Sequence, residues 1–166
     1  MNTLDAIFSR KSIRSLTGEM VSKQTLDTIL KAGEAAPVGM GKYESLHFTV
    51  ISDPDLLAKL GGKALYGAPT LILVSTAKPA PGMENLAYSN AAIAVENMAL
   101  AATDLGAGAC HIWGAVMQLK DKPDLVASLN LPAGFVPACA LAVGETANAY
   151  SAREIDTTRI ATDYIG

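Results

Sequence analysis

Between Leu86 and Ala115 the chain reads LAYSNAAIAVENMALAATDLGAGACHIWGA, and no other stretch limits the fold so strongly. Residues 86–105 are rich in Ala, with Met98, Leu100 and Leu105, and are apolar on nearly every side. A helix that is hydrophobic all round has no solvent face and must be buried. Gly106 and Gly108 break it, and Cys110, His111, Ile112 and Trp113 follow on a short strand or loop. Glycine lets backbone approach a neighbour closely. The pattern predicts a central helix at the heart of the fold, ending beside a bound ligand.

The rest of the chain supplies short elements to pack around that helix. Thr3 is placed to cap a first helix, and Ser22 a second that runs through Ala35 with Leu26, Ile29 and Leu30 at helical spacing. His47–Ile51 reads as a strand. Asp53-Pro54 is a cap followed by proline at the first helical position, opening a helix to Leu60. Residues 70–76, TLILVST, form a continuous apolar run between prolines, the mark of a strand covered on both faces. Asp121 and Pro123 repeat the cap-and-proline start for a helix to Leu129, Val136–Val143 is a last buried strand, and Ser151–Glu154 has capping-box spacing for a helical turn. Strands interspersed with helices give an α+β or α/β sandwich. With no repeat or linker, residues 1–166 read as a single domain.

Only 17% of the residues are charged and half are hydrophobic, against a usual charged share of about 25%. Surplus apolar surface of this kind belongs in a subunit interface. A net charge of −3 leaves no basic footprint for nucleic acid. The start, MNTLDAIFSRKS, lacks a charged-then-apolar leader, and Glu96 and Asp104 interrupt the Ala-rich helix, so secretion and membrane insertion are not expected. Cys110 and Cys139 form no metal or CxxC pattern and read as buried small hydrophobes in a reducing cytosol, giving a cytoplasmic protein with no metal.

Few side chains are suited to chemistry. Arg10, Lys11, Ser12 and Arg14 place three cations and a hydroxyl within five residues, a set able to hold a phosphate or to form a solvated loop. Pro37, Val38, Gly39 and Met40 form a turn that offers only backbone groups to a flat ligand. Gly106-Ala107-Gly108 follows a helix rather than a strand and is no dinucleotide fingerprint. His111 has no carboxylate or serine at a telling spacing, and Trp113 is either core or a wall for an aromatic ligand. There is no G-x-S-x-G, H-E-x-x-H or P-loop. A chain so short of acids, bases and nucleophiles does no chemistry or borrows it from a cofactor.

Taken in order, these pieces resemble the FMN-dependent nitroreductase family, in a short, minimal form. Arg10-Lys11-Ser12-Ile13-Arg14 is similar to its R-[RHK]-S-[IV]-R opening, Ala36-Pro37-Val38-Gly39-Met40 to its A-P-S-[AGS] turn, and Asn97–Ala102 with Leu105-Gly106 to its N-[ML]-x-L-A-A-x-x-L-G helix. Ile112-Trp113-Gly114 matches the strand end that passes over the flavin near N5. Where the family usually carries Asn and then Gln-Pro-Trp, this chain has Gly41, Tyr43, Glu44 and Ser45.

The resemblance implies an α+β sandwich with a mainly antiparallel sheet flanked by helices, dimerising through the long helix. FMN would sit between subunits, its phosphate held by Arg10, Lys11, Ser12 and Arg14, with Arg153 closing from the C-terminal side and Arg159 second in line. Pro37–Met40 would come from the partner chain, and Ile112, Trp113 and Gly114 would lie along the ring. The implied activity is NAD(P)H oxidation with reduction of nitroaromatics, quinones or similar flat oxidants by a ping-pong mechanism. The alternatives are a flavin-binding storage or sensor protein without turnover, or a cofactor-free interaction protein.

Overall fold

A computed structural model describes residues 1–119 and 121–166. The elements in order are α1 (Thr3–Ser9), α2 (Lys23–Glu34), β1 (Leu46–Ile51), α3 (Pro54–Leu60), β2 (Thr70–Ala77), α4 (Glu84–Asp104), β3 (Gly108–His111), α5 (Trp113–Leu119), α6 (Pro123–Ser128) and β4 (Phe135–Gly144). The strands form one sheet in the order β1-β2-β4-β3, and every neighbouring pair is antiparallel. This is the expected α+β class.

Alternation along β2 explains the layering, because successive strand side chains point to opposite faces. Ile72 and Val74 face α2 and α4, joining Ile29, Ala94, Met98 and Leu141 in one core. Leu71 and Leu73 face α3 and α5, joining Leu57, Leu60, Val116 and Leu119 in a second. A strand packed on both faces has no polar side, which is why 70–76 reads as an unbroken apolar run. Burial from Thr70 to Thr76 is complete.

Several ends differ from the sequence reading. Asn2, not Thr3, caps α1, through a reciprocal box with Asp5. Asp121 does not cap α6; Lys122 takes the cap position without a side-chain bond, and Pro123 alone sets the start. Ser151 opens no helix: the tail from 151 onward carries only a turn near Thr157–Ile160. The strand through Cys110 stops at His111, and Trp113 begins α5, an element the sequence reading missed. Its residues Trp113–Leu119 hold one buried face, Ala115, Val116 and Leu119, too short a period to separate from a loop.

Helix α4 is the largest departure. Its sheet-facing side is buried at Ala91, Ala94, Val95, Met98, Ala99 and Ala102, yet Tyr88 and Ile93 stay 42% and 40% exposed. Nearby, Leu4, Ile7 and Phe8 of α1 and Trp113 and Met117 of α5 are exposed as well. The single chain covers only part of this helix. No helix among the described residues is long and apolar enough to cross a membrane.

Candidate functional site

Residues 10–17 run as an irregular strand stitched to three neighbours. Ile13 donates to Ala109 O of β3 at 2.9 Å, Leu16 to Tyr66 O at 3.1 Å, and Thr17 to Glu145 O at 3.0 Å. Ile13 is buried and anchors the segment, while Arg10 and Ser12 are half-buried and Arg14 exposed. Both arginines and Ser12 lie near Cys110, whose thiol donates to His111 O at 3.6 Å. Burial nevertheless dominates and pushes the Cys110 thiol up. This is an inert buried cysteine, since the thiolate is the reactive form.

The cationic cluster is divided by what each member touches. Arg10 Nε lies 3.2 Å from Glu96 Oε1 of α4. Lys11 turns away, donating to Ala149 O at 2.9 Å with its ammonium 5.9 Å from the centre of the Tyr150 ring. Arg14 stands over Tyr66 at 5.8 Å. Arg10 and Ser12 therefore share one corner, and Lys11 ties down the chain's end.

Glu96 carries a second contact. Its Oε2 is 3.3 Å from His111 Nε2, giving the histidine the carboxylate partner that sequence spacing did not reveal. The signal was not readable because fourteen residues and a turn separate the two; only the packing of β3 against α4 joins them. Beyond His111 lies a recess of about 260 Å3 lined by Ala92, Val95, Ile112, Trp113 and Cys139. Its walls are almost wholly apolar. Trp113 is 62% exposed at the rim, so it is no core residue. Nothing lies within 4 Å of where a Cβ would stand on Gly114, the second residue of α5.

The Pro37–Met40 turn sits elsewhere on α4. Gly39 N–H donates to Asn90 Oδ1 at 3.1 Å. A Cβ on Gly39 would stand 2.6 Å from Leu86 Cδ1, so glycine is what lets this backbone reach the helix. Val38 is buried beneath the turn, whereas Met40, held at φ 59°, projects into solvent at 68% exposure.

At the chain's end, Arg153 donates from Nε to Phe8 O at 3.1 Å and from Nη2 to Ile7 O at 3.3 Å, and its own N–H meets Phe8 O at 3.0 Å. Those are the free carbonyls of the last turn of α1, a favourable place for a cation. Arg153 thus reaches the loop that carries Arg10. Arg159 does not: its Nε bonds Asp156 O at 3.2 Å within the tail. Tyr150, with its hydroxyl 2.9 Å from Ala107 O, fixes the approach, and burial pushes its ionisation up. Among the described residues no cluster of three or more His, Cys, Asp or Glu is placed to hold a metal.

One corner of the chain therefore holds Arg10, Ser12, Glu96, His111, Trp113 and Gly114, with Arg153 behind it. Known proteins resemble this chain along most of its length. FMN reductase (NADPH) of Bacillus subtilis is 29% identical over 170 residues, spanning 89% of this chain and 67% of that protein. A Bacteroides fragilis nitroreductase with bound FMN superposes with a TM-score of 0.82 at 26% identity, covering 99% of this chain and 100% of that one. A Desulfovibrio desulfuricans protein in complex with FMN gives 0.80 at 33% identity, covering 100% and 99%. The nitroreductase family pattern itself matches residues 7–65 and 58–145. With that match running over most of its length, the chain belongs to the nitroreductase family.

Proposed function

We propose that this protein is an FMN-dependent NAD(P)H oxidoreductase that works as a homodimer and reduces small flat oxidants, nitroaromatics and quinones among them. The observation that carries the reading is the corner where Arg10 and Ser12 meet Trp113 and Gly114 at the start of α5. A flavin mononucleotide needs a cationic grip for its phosphate and an uncluttered apolar shelf for its ring. Both are present: Arg10 engages Glu96 only through Nε, and nothing crowds Gly114. FMN would supply hydride acceptance and release; the chain supplies binding, orientation and exclusion of water.

In this reading Arg10 and Ser12 hold the phosphate and neighbouring hydroxyls, and Arg14 adds positive field. Lys11 and Arg153 act one step back, since their polar atoms already fasten the tail and the end of α1. Ile112, Trp113 and Gly114 form the shelf.

A second copy completes the site. Asn90, which receives the Pro37–Met40 turn, and Glu96, which meets Arg10, are six residues apart, or about 120° round the helix. Within one chain the turn and the Arg10 corner thus lie on different flanks of α4. The exposed Ile93 stands midway between them round the helix and suits packing against a partner's α4, which would bring the partner's turn over the ring. NAD(P)H and the oxidant would use the same apolar shelf in turn, as ping-pong kinetics require. Few polar groups line the recess, so selectivity among oxidants should be weak, because strong selectivity needs buried polar groups that a wrong ligand leaves unpaired.

The purified protein should be yellow, with one FMN per chain, and should bleach when mixed anaerobically with excess NADH or NADPH. Bleaching by dithionite but by neither nucleotide would overturn the enzyme reading in favour of flavin binding alone. Arg10→Ala removes a charge-assisted contact worth about 1.5–3 kcal/mol, so FMN affinity should fall roughly tenfold to a hundredfold.

A further inference from the structure

The recess beside Trp113 does not end there. Ala92, Trp113 and Cys139 in its wall come from α4, α5 and β4. A second, larger cavity of about 570 Å3 is lined by the same three elements. Its Tyr88 lies one turn before Ala92 on α4, its Val116 one turn after Trp113 on α5, and its Pro137 two residues before Cys139 on β4. Residues one turn apart on a helix, or two apart on a strand, share a face. The two cavities are therefore consecutive lengths of one groove, which follows α4 from Val95 to Glu84 for about 16 Å.

Beyond Tyr88 and Val116 the walls are Leu119, Val126 and Phe135. The charged side chains of this cavity, Lys78 and Glu84, stand exposed where it meets solvent. One edge of β4 runs along the groove. Its pairing with β3 ends at Leu141 opposite His111, and Ile112 N–H adds a bond to Ala140 O at 2.9 Å. Pro137 lies further back on that strand, and Ala138 is an extra residue in its register with β2. Proline and a bulge blunt an edge against a further strand. A peptide strand is thus poorly suited to the groove, whereas an apolar chain with no hydrogen bonds to make is well suited.

We infer that the groove is a subsite for the side chain of the oxidant, and that the protein favours quinones bearing an aliphatic chain over quinones that are a ring alone. This rests on the reading that the FMN ring lies along Trp113 and Gly114, because the groove begins there. The quinone ring takes the recess beside the shelf, and its chain runs between α4 and α5 toward Lys78. A ring alone fills about a third of the length, leaving room for roughly eight to ten carbons. Longer chains emerge into water between Lys78 and Glu84 and gain nothing more. Weak selectivity among ring types coexists with this preference, since burying a methylene needs only an apolar wall.

The test is a titration of para-benzoquinones carrying one methyl, butyl, octyl or dodecyl chain into the oxidised, FMN-loaded protein. No nucleotide is added, so no turnover intervenes. Trp113, the single tryptophan, reports binding by fluorescence quenching. A methylene half-buried in an open groove is worth about twofold in affinity, half the free energy of full burial. The octyl compound should therefore bind roughly a hundredfold more tightly than the methyl one, and the dodecyl compound little more tightly than the octyl. Val126→Phe fills the groove, and Tyr88→Ala strips one wall at a residue already 42% exposed. Each should cut the octyl-to-methyl ratio by about fivefold or more. A ratio near one in the parent overturns the subsite. So does a large ratio that survives in both variants, which puts the chain elsewhere. If neither NADH nor NADPH bleaches the flavin while the ratio and its loss hold, the oxidoreductase reading fails and the groove stands. Bleaching together with a flat series sinks the groove alone.

Discussion

Replacing Gly39 with Ala tests how the Pro37–Met40 turn is held on α4. The added Cβ would stand 2.6 Å from Leu86 Cδ1 and 3.2 Å from its Cγ and Cδ2. Overfilling a packed contact costs about 1–3 kcal/mol; about 2 kcal/mol is reasonable because Leu86 is half-buried and can partly turn aside. Gly39 is not in the left-handed region, so alanine also removes freedom from the unfolded chain, a gain of roughly 0.7 kcal/mol. The net loss is therefore about 1.3 kcal/mol. In a Leu86→Ala background the obstacle is gone, and the same substitution should stabilise by about 0.7 kcal/mol. Urea unfolding of the four proteins, at one protomer concentration because assembly shifts apparent stability, measures both values. A Gly39→Ala effect of the same size in both backgrounds would refute the close approach. FMN affinity offers a second reading: it should weaken in the single variant as the turn lifts, and recover in the double.

Arg153→Ala frees the last carbonyls of α1 from two side-chain bonds; limited proteolysis should then cut the tail faster, and FMN affinity should fall less than in Arg10→Ala. Stability should decline with alkaline pH, because burial raises the Cys110 thiol only in the folded chain. The unfolded thiol ionises first, so stability is intact below the ordinary thiol range and is lost as pH climbs through it; Cys110→Ala should flatten that part of a melting-temperature profile. Sedimentation should give a dimer at micromolar concentration with an obligate-sized interface, above about 2,000 Å2. A folded monomer that retains FMN would rule out the shared site.

The strands and α3 were legible because each rests on local chemistry. An Asp-Pro start and an apolar run between prolines need no tertiary information. What failed at Ser151 was the same rule applied without packing: a capping residue marks a helix only where an apolar face follows to hold it. The cationic segment was visible, but its division was not. Lys11 and Arg10 are adjacent in sequence, and only the course of 10–17 past β3 and the tail sends them to different partners. Glu96 was invisible as a site residue because it looked like an interruption in an apolar helix.

The polar residues of α4 explain that helix better than its apolar ones do. Asn90 receives the Gly39 N–H, and Asn97 donates to Ala32 O at 3.2 Å. Glu96 answers Arg10 and His111, Asp104 answers the amino terminus, and Thr103 bonds back to Ala99 O at 2.9 Å. Apart from Thr103, each of these has a named partner on a different side: α2 and its following turn, the Arg10 corner, the start of α1. A helix that must meet a sheet, a second helix and a cationic loop cannot keep one polar face. Its few polar positions are spent singly where each neighbour needs an acceptor or donor. The flank opposite the sheet, where Ile93 stands 40% exposed beside Ser89 and Glu96, is the one left for a second α4.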